Sequence, residues 1–169
     1  MAASQFILVT GATGYVGGRL VPRLLAAGHR VRCLVRDPAR LQGRDWLDQV
    51  EGVSGDVLQP DSLAAAMCGV SVVYYLIHSL GGGSDFSERD LAAARNCARA
   101  AKTAGVERII YLGGLGDPQS DLSAHLRSRH DTGEALREAG IPVTEFRAAV
   151  IVGSGSLSFE MIRYLTERL

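Results

Sequence analysis

Val9-Thr10-Gly11-Ala12-Thr13-Gly14-Tyr15-Val16-Gly17-Gly18-Arg19-Leu20 decides how the rest of this chain is read. It follows the apolar run Phe6-Ile7-Leu8-Val9, which predicts a first strand, and it opens into residues 15–27, whose apolar positions recur at helical spacing. A strand, a glycine turn and a helix in succession make an anion site, because the first free backbone N–H groups of the helix and its dipole converge on one point. A dinucleotide pyrophosphate suits that point. Gly11 serves the tight turn, Gly14 lets the backbone approach the phosphates, and Gly17 lets the helix pack closely on the strand. The spacing is G-x-x-G-x-x-G, not G-x-G-x-x-G. Glycines alone are a weak signal in a chain holding 20 of them in 169 residues. The weight comes from position, at the first strand-to-helix junction of a chain that keeps alternating in the same way.

Outward from that turn, residues 31–35 predict a second strand that Pro38 ends, and 39–49 form a poorly patterned piece anchored by Trp46 and Leu47. Residues 50–54 predict strand three, and Pro60-Asp61-Ser62 opens a helix over 63–67. The dense β-branched and aromatic run 71–77 suits a central parallel strand buried on both faces, and the glycine-rich stretch 78–83 after it has the composition of a flexible loop. The longest helix spans 85–104, with Phe86, Leu91, Ala94, Cys97 and Ala101 on one apolar face. Strand five covers 108–112, a helix 122–139, and strand six 143–152 with Phe146, Val150 and Ile151. A last helix starts after Gly153-Ser154-Gly155 and reaches Leu169 without a capping signal. The expected fold is α/β: one doubly wound parallel sheet of about six strands in three αβα layers, forming one domain over 1–169.

Composition narrows the function classes. Eighteen basic and eighteen acidic residues cancel, so no net field draws in nucleic acid or an acidic membrane. No apolar run approaches the roughly 18 residues of a membrane span, and residues 1–5 lack a basic leader, which makes the cytoplasm the expected compartment. Cys33, Cys68 and Cys97 are odd in number and far apart, so they support neither a disulfide framework nor a metal site, and all three are expected as buried thiols.

The turn T-G-A-T-G-Y-V-G, the V-R-D-P after strand two, the G-D-V-L-Q-P-D-S-L after strand three and the R-I-I-Y-L-G-G-L-G of strand five resemble the short-chain dehydrogenase/reductase superfamily. They are most similar to its atypical branch of NmrA-like and epimerase-like NAD(P)-binding Rossmann proteins. The resemblance implies a cofactor cradle at Thr10, Gly11, Thr13, Gly14, Tyr15, Val16 and Gly17. It also implies that Asp56 and Val57 sit against the adenine, with Leu76, Ile77 and His78 along the adenosine ribose or the nicotinamide side. Independently, all of these fall at carboxyl ends of predicted parallel strands, where open α/β sheets bind ligands. Asp56 has a second reading, as a turn residue before Pro60. Arg36 matches a 2′-phosphate, whereas Asp37 before Pro38 has the character of a turn residue, so NADP is expected over NAD.

The same resemblance exposes a gap. The superfamily's catalytic Tyr-x-x-x-Lys should fall on the helix after strand five, but Leu126 stands in the tyrosine's place and His130 in the lysine's. A register one residue earlier pairs His125 with Arg129. The serine expected after strand five is replaced by Gly113-Gly114. A substitute proton donor would have to come from His78, His125, His130, Tyr75 or Asp117. Family members also add a substrate-binding portion after strand six, so the chain is expected to be part of a longer protein. The expectation is an NADP(H)-binding domain of an atypical reductase or sugar-nucleotide-epimerase-like oxidoreductase acting on a small molecule. The alternatives are an NmrA-like redox sensor with a regulatory protein partner, or an assembly role. Helix 85–104 offers small residues to a second copy or to the sheet, which leaves the oligomeric state open.

Overall fold

The structure, a computed structural model, describes residues 4–78, 86–117 and 121–168. Six parallel strands form one sheet in the order β3-β2-β1-β4-β5-β6: β1 Phe6–Thr10, β2 Arg30–Val35, β3 Glu51–Ser54, β4 Val72–Tyr75, β5 Arg108–Gly114 and β6 Val143–Ala148. The order reverses between β1 and β4, because the chain first adds strands on one side of β1 and then crosses to the other. That reversal is the switch point where α/β sheets hold ligands.

Among the described residues four helices connect the strands, α1 Tyr15–Ala26, α2 Asp61–Met67, α3 Phe86–Thr103 and α4 Ala124–Arg137, and α5 Leu157–Arg168 follows β6. Two short 3₁₀ turns, Pro38–Leu41 and Leu47–Gln49, bridge β2 and β3. Successive strand residues point to opposite faces. Ile7, Val9, Val31, Cys33 and Val35 therefore meet Val21 and Leu24 of α1 together with Leu41 and Trp46. Leu8, Leu34, Val73, Tyr75, Ile109 and Tyr111 meet Leu63 and Met67 of α2, Ala94, Cys97 and Ala101 of α3, and Leu136 of α4. Each large apolar side chain removed from water in these layers contributes about 2 kcal/mol. The small residues of α3 (Ala93, Ala94, Cys97, Ala98 and Ala101) pack into this core.

Three expectations are corrected. Cys68 is exposed, because it caps the end of α2, where Ala66 and Met67 take the inward positions; Cys33 and Cys97 are buried, and burial pushes both thiols up to about 12. Strand six stops at Ala148, not 152, and Phe146 and Val150 are exposed at 61% and 54%. β6 lies at the sheet edge, so Phe146 has a neighbouring strand on one side only. Tyr75 is 1% exposed with its ring 6.1 Å from that of Tyr111, and burial drives its phenol well above the ordinary value. It is a core residue and not a proton donor. The stretch expected as a flexible loop lies outside the described residues from 79 onward.

Candidate active site at the switch point

The β1–α1 turn is built as the glycines require. Gly11 holds φ at +78°, a conformation that side chains strain against, and its N–H-to-carbonyl partner across the turn is Gly14, whose N–H donates to Gly11 O at 3.0 Å. Gly17 lies directly on the turn: a Cβ there would stand 2.8 Å from Ala12 Cα and closer still to Gly11 O. Gly14 caps α1 with no side-chain hydrogen bond, and the first bond of the helical ladder runs from Gly18 N to Gly14 O at 2.9 Å. The N–H groups of Tyr15, Val16 and Gly17 precede that ladder and point out of the helix end. The turn thus fits a pyrophosphate by close backbone approach and by unscreened N–H groups.

Beside this turn lies a cavity of about 370 Å³ lined by Gly11, Thr13, Arg36, Arg40, Asp56, Val57, Ile77 and His78 among others. Seven of the sequence-derived site residues meet there. Thr10 does not reach it: its buried hydroxyl donates to Tyr74 O and accepts from Leu76 N, both at 3.1 Å, so it ties β1 to β4. Leu76 packs on the α1 side of the sheet, its backbone against Gly11. Tyr15 is turned the other way, stacked under Arg19 at 3.8 Å with its hydroxyl over Gly153, while Arg19 donates to Ser154 O at 2.8 Å. Together they tie the segment after β6 to the start of α1.

Arg36 at the end of β2 and Arg40 in the 3₁₀ turn that follows line the cavity wall, whereas Asp37 turns back to accept from Ala39 N at 2.9 Å. The carboxylate of Asp56 accepts from Leu58 N at 2.9 Å, so this residue both shapes the turn and lines the cavity. Asn96 of α3 holds the turn by donating to Val57 O at 3.0 Å.

On the opposite side of β1 from Arg36, His78 follows β4. Its ring lies edge-on to that of His125 with centroids 6.1 Å apart. Loss of solvent lowers its pKa below the usual 6.5, the charges of Arg129 and His125 add to this, and Asp90 opposes it. Arg129, buried on α4, donates to Leu112 O and lies 5.9 Å over the Tyr111 ring. Leu126 sits over Gly114, where a Cβ would meet Leu126 Cδ2 at 2.8 Å and Arg129 Cδ at 3.2 Å. His130 is half-buried on α4 and Asp117 is exposed beyond β5. Neither lines the cavity.

Sequence reasoning missed four charged groups here. Arg89 and Asp90 open α3 and line the cavity; their signal was their place just after the loop that follows β4. Arg44 folds back across Gly18 to donate to Thr13 O at 3.2 Å, and no pattern in 39–49 announced it. In sequence Arg129 stands out only as a partner of His125, although it faces inward at 9% exposure.

A protein-family model described as NAD(P)H-binding matches residues 11–154. The 3β-hydroxysteroid dehydrogenase/Δ5→4-isomerase of Mycobacterium tuberculosis is 35% identical over 115 residues, 62% of this chain and 30% of its own. The triphenylmethane reductase of a Citrobacter species, crystallised with NADP(H), superposes with a TM-score of 0.71 at 32% identity, over 85% of this chain and 49% of that one. A nucleoside-diphosphate-sugar epimerase of Staphylococcus aureus superposes at 0.78 with 25% identity, over 95% and 54%. The matched part of the chain therefore spans 30% to 54% of the length of these proteins. Its neighbours are those of the atypical short-chain dehydrogenase/reductase group, and a nicotinamide dinucleotide is the ligand of its family. Among the described residues, no helix is long and apolar enough to cross a membrane.

Proposed function

This chain belongs to the NAD(P)H-binding family of short-chain dehydrogenase/reductase type, and from that premise we propose that residues 1–169 carry the NADP(H)-binding domain of an atypical reductase or sugar-nucleotide-epimerase-like oxidoreductase. The observation that carries the reading is one continuous cavity at the strand carboxyl ends. It runs from Arg36 and Arg40 after β2, past the glycine turn of β1, to Ile77 and His78 after β4. In this reading the N–H groups of Tyr15, Val16 and Gly17 hold the pyrophosphate, with Gly11, Thr13 and Gly14 shaping the approach. Asp56 and Val57 border the adenine, Arg36 takes the 2′-phosphate with Arg40 beside it, and Leu76, Ile77 and His78 flank the nicotinamide-side ribose. The bound dinucleotide supplies the hydride chemistry. The protein positions it, screens it from water through Val57, Leu58 and Ala93, and neutralises its phosphates. A small-molecule substrate and a cytoplasmic setting belong to the same proposal.

Leu126 over Gly114 favours one other reading. With an aliphatic side chain where the superfamily has a phenol, the chain suits an NmrA-like sensor that reports dinucleotide occupancy to a protein partner. Calorimetry with NADP, NADPH, NAD and NADH tests both. The proposal predicts NADP(H) bound about tenfold or more tighter than NAD(H), since charged hydrogen bonds are worth about 1.5–3 kcal/mol. Arg36→Asp should reverse that preference, and unchanged NADP affinity would remove Arg36 from its role. A sensor distinguishes oxidised from reduced cofactor and consumes none; an oxidoreductase consumes NADPH once an acceptor is supplied.

A further inference from the structure

We propose that His78 is the acid that delivers a proton to the reduced substrate and that His125 passes protons between His78 and solvent, which makes the substrate a carbonyl or quinone. The inference rests on the dinucleotide reading above and deepens it. His78 lines the cavity on the far side of β1 from Arg36. If Arg36 marks the adenosine end, His78 stands at the nicotinamide end. His125 is exposed on the first turn of α4, and its ring lies edge-on to His78 with centroids 6.1 Å apart, a separation that one water can bridge. None of the five tyrosines lines this cavity: Tyr75 and Tyr111 are 1% exposed in the core, Tyr164 is 61% exposed on α5, Tyr74 lines a separate cavity with Gln5 and His29, and Tyr15 is engaged with Arg19 and Gly153.

Two elements set the charge around His78. From α4 come Arg129 and His125, and from α3 comes Asp90, whose Oδ2 accepts from Ser128 Oγ at 3.4 Å. Burial and the two cationic groups favour the neutral ring, and Asp90 favours the protonated one, so His78 titrates below 6.5. The step balances without any further group. As a carbonyl carbon accepts hydride from a bound dihydronicotinamide, the C=O π pair moves to oxygen. That oxygen takes the N–H proton of the His78 imidazolium, leaving a neutral ring, and His125 restores the proton from water. The acidic form fills as pH falls, so carbonyl reduction should rise through the His78 pKa towards low pH.

Imidazole NMR titration of the histidine-labelled chain tests this without turnover, the four histidines being assigned from His78→Gln and His125→Gln. The expected result is a His78 midpoint below 6.5 that lies lower with NADP, whose nicotinamide is cationic, than with NADPH, while His29 and His130 do not distinguish the two. Shifts in the backbone amides of 11–17 with an unmoved His78 would overturn the proposal and leave dinucleotide binding standing. Amides that do not move would overturn both. A second readout uses acceptors that differ in proton demand. Reduction of 9,10-phenanthrenequinone needs a proton, whereas the cation crystal violet takes hydride alone. His78→Gln should lower quinone reduction about 100-fold more than dye reduction, with added imidazole restoring part of the loss in His125→Gln. Equal losses on both acceptors would assign His78 to cofactor positioning and overturn the proton-donor role; where neither acceptor is turned over, the titration decides.

Discussion

Two places in this molecule pair glycines at the carboxyl end of a strand with a helix that comes in close, and they use the missing side chains in opposite ways. At the β1–α1 turn, Gly11 and Gly17 bring backbone against backbone, and Gly14 leaves the helix end uncapped by any side chain. At the end of β5, the space over Gly114 is filled by Leu126 and Arg129, and the space beside Gly113 by Glu145. The first arrangement presents N–H groups towards a cavity; the second closes the sheet with the protein's own side chains. Glycine spacing alone does not separate the two. What separates them is whether the next helix brings backbone or side chains to the site.

The comparison also joins two departures that look independent in sequence. On the alignment that the resemblance implies, the superfamily serine falls at Gly113-Gly114 and its tyrosine at Leu126, and in the fold Leu126 lies against Gly114. On that alignment the two departures meet in a single aliphatic contact.

The largest expected effect breaks the first region. Gly17→Val places a side chain 2.8 Å from Ala12 Cα, against backbone that cannot step aside. Overpacking of this kind costs about 3 kcal/mol, so urea denaturation should show that loss and calorimetry should show dinucleotide affinity falling beyond detection. A variant with wild-type stability and affinity would mean that the close approach is soft, and the contrast between the regions would disappear. A smaller effect sharpens the second region. Gly114→Val pushes against the movable ends of Leu126 and Arg129, and Leu126→Ala makes room for it. The double-mutant cycle should return a favourable coupling of about 1 kcal/mol, while additive losses would separate the two departures.

Much of this was legible because it depends on local chemistry. Parallel strands buried on both faces give dense apolar runs such as 71–77, and glycines give helix ends, so the element order follows from the residues, while Asp56, Val57, Ile77 and His78 come from the family resemblance together with their place at strand carboxyl ends. What stayed hidden depends on distance in space. The apolar Val150 and Ile151 extend strand six to 152 in sequence, whereas it ends at Ala148, opposite the last residue of β5, Gly114. Arg44 reaches Thr13 across 31 positions, and Arg129 enters the site only because α4 packs on β5. Cys68 follows the apolar pattern of α2 one residue too far.

The smallest effect probes whether the second region is closed by charge as well as by packing. The Glu145 side chain is 6% exposed and is gripped by Arg137 Nη2 at 2.7 Å and Arg147 Nε at 3.1 Å. Burial works to raise its pKa, but the hydrogen bonds and charges of the two arginines more than reverse that and hold it below the ordinary 4.5. A carboxyl depressed in the folded state stabilises the fold in full above its unfolded pKa, and that contribution is lost as pH falls through the folded value. The urea midpoint of the wild type should therefore exceed that of Glu145→Gln at pH 7, with the gap narrowing below about pH 4.5 as the carboxyl protonates. A gap that stays constant from neutral pH to pH 3 would mean that Arg137 and Arg147 are held by contact alone, and that the region around Gly113 is closed by shape without help from charge.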